Sequence, residues 1–528
     1  MAGMAVLESR VIAIQNEKRP VMGYEQIAAV DLGSNSFRLE IGRIDGDQIY
    51  SLGSLKESIR LASGLTRDKR LDEQAQQRGL ETLGRFAERL RGFAPGTVRA
   101  VATNTLRVAK NAAQFIERAE AVLGFPIEII GGREEARLIY IGVAHSIPPG
   151  RGKRLVVDIG GGSTEFVIGK KTEPLLMESM FMGCVSYSLR YFPDGRIDDK
   201  RFADAELAAA REIENIAQEY RSFGWTEAVA SSGTAKAVVD ILELNGLNPN
   251  GVSGISCAGL ETLKARLIRA GSADALGLDG LRADRVPVFA GGLAILSAVF
   301  SVLDLKRMRY ADGALRLGVL YDLLGRFHQL DMRDATVKQF QRRYQVDLKQ
   351  AARVERTALR LLDQLVGTDP ARLESESRTL RWAAALHEIG ISIAHSGFHK
   401  HGAYIIGSAD MPGFSKKDQE RLSLLILGQR GKLEKLPLIP SADFLWRQIF
   451  CLRLASLLHR SRDDVSLPAE LKVTQSSTGF QIDLPDQWLQ KNPLTAGSLA
   501  EASEFWQKVG WQLQVRRNPA TGDKASAG

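Results

Sequence analysis

Cysteine is scarce in this chain, and a long apolar run is missing. Of the 528 residues only three are cysteines, and Cys184, Cys257 and Cys451 form no C-x-x-C pair. This spacing predicts neither a disulfide framework nor a zinc site and is typical of a reducing compartment. No apolar run reaches the roughly 18 residues that a membrane-spanning helix requires, so we expect no transmembrane segment.

The start of the chain also lacks the uninterrupted apolar stretch of a secretory signal. Charged residues divide it, namely Glu8, Arg10, Glu17, Lys18 and Arg19. No signal peptide is therefore predicted, and we expect a cytoplasmic protein for which peripheral association with a membrane stays open. Residues 1–23 and 518–528 are predicted to be flexible tails.

The composition is that of a globular protein with an excess of basic residues. Hydrophobic residues make up 44% of the chain and charged residues 25%, as in ordinary folded domains. The length predicts about three or four domains. A net charge of +8 suits a polyanionic partner, which leaves nucleic acid, a membrane surface and polyphosphate open. Since no recognisable nucleic-acid motif is present, no specific nucleic-acid partner is predicted.

One segment occurs twice, 127 positions apart. The first copy, 30–42, reads VDLGSNSFRLEIG, and the second, 157–169, reads VDIGGGSTEFVIG. Each copy is an apolar strand, an aspartate, a turn of small residues and a second apolar strand. Glycine lets backbone N–H groups approach an anion, serine hydroxyls add donors, and the aspartate at a strand end can hold a cation. The duplication therefore favours paired phosphate-binding turns over two ordinary hairpins.

Strands that alternate with helices predict an α/β region, and its strand ends supply further candidates. A third turn of small residues ends the strand that begins at Glu227. Backbone donors for phosphate are predicted in all three turns: Gly33, Ser34, Asn35, Ser36, Gly160, Gly161, Gly162, Ser163, Gly233 and Thr234. Glu134 and Glu135 open a helix that follows another strand. Acids there commonly stabilise the helix dipole, but a strand end is also where ligands collect, so one of the two could point into a cleft.

From about Gly325 the sequence becomes helical and rich in arginine and leucine. Four of the seven histidines lie in this part: His387, His395, His399 and His401. They have no clear carboxylate partners beyond Glu388 and have basic neighbours, which favours a structural or anion-facing function over a metal site. Basic side chains here are candidates for holding a long polyanion: Arg342, Arg343, Arg353, Lys400, Lys416 and Lys417.

Together these motifs resemble those of the exopolyphosphatase / guanosine pentaphosphate phosphohydrolase family. The resemblance rests on five segments, 29–37, 132–142, 157–165, 232–234 and 312–316, and it extends from about Tyr24 to Val515. The long form with a helical C-terminal module is most similar to bacterial exopolyphosphatase.

The resemblance implies a fold and a domain order. It implies a two-lobed α/β core of the actin/Hsp70/sugar-kinase-like (ribonuclease H-like) type, with the active site between the lobes. An all-α HD-like domain and a small α+β C-terminal domain follow, usually within a homodimer. We place the lobes at 24–144 and 145–325, the HD-like domain at 326–464 and the small domain at 465–517. His387 and Glu388 stand where the HD pattern has His-Asp, so a substrate-binding or dimer function is favoured over a second metal centre.

The resemblance also implies functions for individual residues. Glu135 matches the catalytic glutamate and Arg107 a phosphate-contacting arginine, while Asp158 and Glu165 match acids around Mg²⁺. Asp31 is expected to reach the metal through water; Mn²⁺ as a substitute and K⁺ as a further cation stay open. The expected activity is that of an exopolyphosphatase releasing orthophosphate from polyphosphate. One alternative is a guanosine pentaphosphate (pppGpp) phosphohydrolase, and another is a non-catalytic sensor of polyphosphate or of pppGpp and ppGpp.

Overall fold

The fold is described from a computed structural model, which covers residues 25–148, 150, 152–327, 331–366, 370–464 and 466–518. The two predicted tails lie outside these residues, apart from residue 518. The chain forms two compact units, Met1–Met332 and Arg333–Gly528. Within the described residues, no helix combines enough length with enough apolar side chains to cross a bilayer.

Two β-sheets of related topology form the frame of the first unit. One sheet has the order β3-β2-β1-β4-β5 and the other β10-β11-β9-β6-β7-β8. The strands are β1 Gln26–Leu32, β2 Ser36–Asp45, β3 Gln48–Ser58, β4 Val98–Ala102, β5 Ile127–Ile129, β6 Lys153–Ile159, β7 Thr164–Lys170, β8 Glu173–Met180, β9 Glu227–Ser231, β10 Ile255–Ser256 and β11 Arg307–Tyr310.

The repeated segment forms the same hairpin in each sheet. The hairpins β1-β2 and β6-β7 are antiparallel, each continues into a third antiparallel strand, and each first strand pairs on its other side with a parallel strand. The sequence duplication is therefore a duplication of sheet topology. Strand β3 carries little strand signal because most of its residues are exposed and polar, as befits a strand at the sheet edge.

Helices cover both sheets. They are α1 Glu73–Arg89, α2 Asn104–Val108, α3 Ala112–Leu123, α4 Gly132–Ser146, α5 Cys184–Tyr191, α6 Asp199–Phe223, α7 Ser232–Leu244, α8 Cys257–Ala270, α9 Val286–Val302 and α10 Leu315–Phe327. One hydrophobic cluster joins the two sheets, because Ala29 of β1 and Val156 of β6 pack with Ile139 of α4 and Val319 of α10. Apolar burial thus places helix α4 between the sheets.

Helices α4 and α10 approach each other through glycines. A β-carbon at Gly142 would lie 2.0 Å from the carbonyl oxygen of Ala314, and one at Gly318 would lie 1.8 Å from that of Leu138. Only glycine permits such close contact between the two helix backbones. The close packing of these two helices therefore explains part of the sequence of the motifs at 132–142 and 312–316.

The second unit combines helices with a small sheet around one hydrophobic core. Its elements are α11 Met332–Arg343, α12 Leu348–Val366, α13 Pro370–Leu386, α14 Phe398–Ser408, α15 Lys416–Gly428, α16 Leu445–Leu458, β12 Lys472–Gln475, β13 Gly479–Pro485, α17 Asp486–Lys491, α18 Pro493–Gln507 and β14 Gln512–Asn518. Phe450 of α16 stacks on Phe480 of β13 with ring centroids 4.3 Å apart. The segments predicted as an HD-like domain and a small α+β domain thus share a core, and the likeness to HD domains stays a prediction.

Replacing Gly318 by alanine should lower the melting temperature of the first unit, because the added methyl group forces α10 away from α4. Overpacking of this kind costs about 1–3 kcal/mol. The matched control is Gly84→Ala in helix α1, where the nearest atom to an added β-carbon is 3.8 Å away. Alanine there should leave the melting temperature unchanged or raise it, since it favours the helix over glycine by about 1 kcal/mol. Scanning calorimetry of both variants measures the difference, and equal melting temperatures would contradict the close packing.

Candidate active site

The turns of the two repeated hairpins face each other across a small cavity. A β-carbon built on Gly161 would lie 3.0 Å from the Cβ of Ser34 and 3.1 Å from the backbone nitrogen of Asn35. The cavity between the turns has a volume of about 120 Å³. Glycine at 161 therefore keeps the two turns close without closing the space between them.

Hydrogen bonds to neighbouring segments orient the peptide groups of both turns. The carbonyl oxygens of Ser34 and Asn35 accept hydrogen bonds from backbone N–H groups within 59–62, and those of Gly160 and Gly161 accept from N–H groups within 184–186. In a planar trans peptide the N–H points opposite to the carbonyl. The amides of Asn35, Gly161 and Gly162 therefore point away from these supporting segments, as donors that cradle an anion must.

Two aspartates end the central strands of the two sheets beside the turns. Asp31 lies opposite Arg38 on β2, whereas Asp158 lies opposite Glu165 on β7. Burial raises the pKa of Asp31 to about 6, against the opposing charges of Arg38 and Arg316. Burial also raises the pKa of Asp158, which the hydrogen bond from Ser231 at 2.5 Å opposes. Both carboxyls thus lie where additional positive charge would stabilise them.

Glu165 lies behind the cavity rather than in its wall. Its side chain is buried, and its Oε1 accepts a hydrogen bond from Ser179 at 2.8 Å. Burial, together with the charges of Glu135 and Asp158, raises the pKa of Glu165 well above its ordinary value. Its predicted function as a metal ligand would therefore be exerted from outside the cavity wall, beside Asp158.

Glu135 projects into the cavity from the first turn of helix α4. Its Oε2 accepts a hydrogen bond from Arg107 at 3.2 Å, while the same arginine nitrogen donates to the carbonyl of Ile130 at 2.9 Å. Burial raises the pKa of Glu135 to about 7, although Arg107 acts in the opposite direction. A carboxyl with a pKa near 7 is suited to accept a proton at neutral pH. Arg107, predicted to contact phosphate, donates a hydrogen bond to Glu135 and does not itself line the cavity.

The neighbouring Glu134 points the other way, into a buried ion-pair cluster. Its carboxylate accepts hydrogen bonds from Arg137 at 2.7 and 2.8 Å. Asp322 of α10 lies 2.7 Å from Arg99 and 2.5 Å from Arg137. Burial would raise the pKa of Asp322, but the two arginines hold it far below its ordinary value. The two adjacent glutamates thus have different surroundings, and only Glu135 reaches the cavity.

Three arginines complete the cavity wall: Arg38, Arg285 and Arg316. Arg316 also pairs with Glu40 at 2.6 Å. A β-carbon at Gly233 would fall 2.0 Å from a guanidinium nitrogen of Arg285, so this glycine makes room for the arginine. Arg38 lies within the first repeated segment, opposite Asp31, whereas Arg285 lies outside every motif and had no signal in the sequence. Arginines that line a cavity together with backbone donors are well suited to bind phosphate.

The third turn forms part of the cavity wall. Ser232 and Gly233 line the cavity, and Ser232 has a φ of 104°, a strained conformation for a residue with a side chain. Thr234 does not line it, and its hydroxyl lies 3.5 Å from the carbonyl oxygen of Ile159. The predicted site residues that do form the wall are Asp31, Gly33, Ser34, Asn35, Ser36, Glu135, Asp158, Gly160, Gly161, Gly162, Ser163 and Gly233.

The carboxylates of the cavity fit a hard divalent cation. Asp31 Oδ1 is buried without a hydrogen-bond partner, and one oxygen of Asp158 is engaged by Ser231. Among the described residues no three His, Cys, Asp or Glu side chains gather closely enough to form a metal cage. Mg²⁺ is usually held by one or two carboxylates, water and substrate phosphates, so Asp31 and Asp158 suit it.

Comparison with known proteins identifies similar chains. The model of the Ppx/GppA phosphatase family matches residues 41–327, and that of Ppx/GppA phosphatase domain III matches residues 332–503. A guanosine-5'-triphosphate,3'-diphosphate pyrophosphatase of Aeromonas hydrophila is 38% identical over 492 residues, which cover 92% of this chain and 98% of that protein.

Solved structures share the fold of the first unit. An exopolyphosphatase-like protein superposes with a TM-score of 0.51 at 24% identity, covering 57% of this chain and 98% of its own. An exopolyphosphatase from Cytophaga hutchinsonii superposes with a TM-score of 0.50 at 23% identity, covering 58% and 98%. The core of the first unit is thus a mixed α/β structure that shares the fold of these two proteins.

Glutamine substitutions at 134 and 135 should have opposite effects. Glu134→Gln removes charge from the ion-pair cluster and should lower the free energy of unfolding by about 3 kcal/mol, as when one partner of a buried pair is lost. Phosphate release per folded molecule should stay the same. Glu135→Gln should reduce kcat by about 10²–10⁴-fold without loss of stability, because burial disfavours the ionised form that it replaces. Unfolding curves and turnover of both variants test this; a Glu134→Gln variant that is stable but inactive would reverse the assignment.

Proposed function

The chain belongs to the Ppx/GppA phosphatase family. We propose that it removes the terminal phosphate of guanosine 5'-triphosphate,3'-diphosphate. The motifs alone led us to expect polyphosphate as the first substrate. The 38% identical relative, which aligns over nearly its whole length, is named for the guanosine substrate and supports the alternative instead. The observation that carries the reaction type is the cavity in which two glycine turns, three arginines and Glu135 meet.

The turns and the arginines bind the reacting phosphate. Hydrolysis of a phosphoanhydride requires neutralisation of charge on the phosphoryl oxygens and an in-line water. The amides of Asn35, Gly161 and Gly162 act as preorganised donors, and Arg38, Arg285 and Arg316 supply positive charge within the same wall. These groups stabilise the charge that the phosphoryl oxygens carry in the transition state.

Glu135 orients the attacking water and takes its proton. The hydrogen bond from Arg107 fixes the carboxylate at one oxygen, which leaves the other for the water. Asp31 and Asp158 would hold Mg²⁺, which supplies Lewis-acid stabilisation of the phosphates when bound. Glu165, which lies opposite Asp158 on β7, would contribute to the cation site from outside the cavity wall.

A second cavity adjoins the first and receives the rest of the substrate. It has a volume of about 210 Å³ and shares Arg38, Ser232, Gly233, Arg285 and Ala314 with the first cavity. Further cations in its wall, Lys56, Lys236 and Arg282, pair with Asp284 or Asp240 at 2.9–3.1 Å and would exchange these partners for additional phosphates. Tyr310 offers an aromatic surface for a purine base. The same cations could hold consecutive phosphates of a chain, which keeps exopolyphosphatase as the second candidate.

Parallel assays of phosphate release test the substrate. We expect the highest kcat/KM for guanosine 5'-triphosphate,3'-diphosphate, a lower value for long-chain polyphosphate and the lowest for ATP, each requiring magnesium. Glu135→Gln is the control for contaminating phosphatases. A preference for polyphosphate would favour the second candidate. Binding of polyphosphate without release from any substrate would favour a non-catalytic sensor.

The pH profile tests the function of Glu135. A base must be ionised, so kcat/KM should fall as the pH decreases through the pKa of Glu135, which is about 7. Arg107 lowers this pKa, and Arg107→Met should therefore move the acid limb to higher pH at the same magnesium concentration. Arg118→Met, which removes an exposed arginine paired with Glu73, is the matched control and should leave the limb in place. An unmoved limb in Arg107→Met would exclude Glu135 as the base.

A further inference from the structure

A cavity within the second unit takes no part in the function proposed above. Its volume is about 530 Å³, within the range of roughly 300–1,000 Å³ that is usual for small-molecule sites. Glu388 pairs with Arg462 at 2.5 Å and so neutralises one of the lining arginines. The charged lining residues are Arg430, Arg453, Arg460, Arg462, Glu388 and Glu501. The wall therefore has an excess of positive charge.

Arg453 brings a buried charge to this wall. The residue is 7% exposed, and it forms no ion pair with any carboxylate of the described residues. Its Nη1 donates to the carbonyl of Gly428 at 3.1 Å, and its guanidinium lies 5.3 Å from the ring centroid of Phe505. Burial lowers the pKa of Arg453 to about 10, which the charge of Glu501 opposes. A buried charge is costly unless it is paired, so this guanidinium would be stabilised by an anion.

Two nitrogens of Arg453 are available to such an anion. Its Nε and Nη2 donate no hydrogen bond within the described part of the chain, and neither nitrogen is sealed from solvent. Since Arg453 lines the cavity, these N–H groups are open to a ligand there. Contact with the ring of Phe505 positions the guanidinium and leaves the N–H groups at its edge for an oxyanion.

Three further cations lie beside Arg453, namely Arg430, Lys400 and Lys435. Arg430 lines the cavity, as does Gly431, where a β-carbon would lie 3.5 Å from the Nζ of Lys435. Burial and the charges of Arg453 and Lys400 lower the pKa of Lys435 to about 7. These four residues are called the cation cluster below. Their mutual repulsion would be relieved by a bound anion.

The pKa of a neighbouring histidine responds to all members of the cation cluster. Burial lowers the pKa of His399, and the charges of the four cations lower it further, to about 4. The four charges therefore act on one place in the unit. Within the described ranges, no member of the cluster forms an ion pair with a carboxylate of the chain. Neutralisation is thus left to a ligand.

We propose that this cavity binds a multiply charged oxyanion of the phosphate type, at a site separate from the phosphate cavity of the first unit. Four cations without acidic partners suit a ligand with two or more negative charges, and a single carboxylate would leave most of their repulsion in place. The planar guanidinium groups of Arg430 and Arg453 match pairs of phosphate oxygens. Inorganic pyrophosphate is a suitable probe, and the diphosphate of a nucleotide offers the same chemistry.

Hydrogen exchange of the full-length chain with inorganic pyrophosphate, in the presence of a chelator, tests the proposal. Pyrophosphate should slow exchange in residues 429–431 and 453–460, next to the cation cluster. It should also protect the turn 33–36 of the first unit, which serves as an internal reference in the same sample. Acetate carries one charge and should leave 429–431 unprotected at equal ionic strength. Equal protection by acetate would overturn the assignment to a multiply charged oxyanion.

Two variants assign the protection to the cation cluster. Arg453→Met removes the buried charge, and Arg430→Gln removes an exposed cation, which keeps the test valid if the first variant does not fold. In each, the pyrophosphate concentration that half-protects 429–431 should rise at least about tenfold, as when one partner of a charge pair is lost. The concentration that half-protects 33–36 should not change. Arg517→Ala, at an exposed arginine of β14, is the matched control, and melting temperatures verify folding.

The outcomes separate this site from the first cavity and from a nucleotide site. Protection of 429–431 that persists unchanged in the folded variants would overturn the proposal. Protection of 33–36 alone would restrict phosphate binding to the first unit and would also overturn it. Guanosine 5'-diphosphate distinguishes the sources of the ligand. Similar protection by pyrophosphate and by this nucleotide would support recognition of the two phosphates, whereas protection by the nucleotide alone would overturn it.

Discussion

The candidate active site of the first unit depends on the contact between the turns of the two repeated hairpins. Each turn is tied at its carbonyl oxygens to a neighbouring segment, so its amide groups point the opposite way. Because Gly161 lies against Ser34 and Asn35, a side chain at 161 would push the turns apart. The two sheets and the helices packed between them form the frame that carries both turns.

Buried charge gives the cavity between the turns its chemical character. Asp31, Asp158 and Glu135 share the wall with Arg38, Arg285 and Arg316, and burial raises the pKa of each of these carboxyls. The carboxyls are stabilised by added positive charge, and the arginines by added negative charge. The proposed metal and phosphate would supply both charges at once, to groups of both signs that stand in one small space.

The charged side chains of helices α4 and α10 fall into two groups, one in a buried ion-pair cluster and one in the cavity wall. Their glycine-mediated crossing places Glu134 and Asp322 in one buried cluster with arginines, while Glu135 and Arg316 reach the cavity. In the first turn of α4, Glu134 thus stabilises the core, and the next residue, Glu135, faces the cavity. Sequence proximity alone could not separate the two, because adjacent helix positions point in directions about 100° apart and either could have faced the cleft.

The family, the α/β class and most of the cavity wall followed from the sequence, because a repeated Asp and small-residue turn has few physical uses besides holding an anion and a cation. The family expectation is confirmed, while the preference for polyphosphate is weakened by the guanosine-specific name of the 38% identical relative. Only the tertiary structure decided that Arg285 enters the wall and that Thr234, Arg107 and Glu165 do not. These outcomes depend on contacts between residues far apart in the chain, and local patterns of apolar and small residues do not record them.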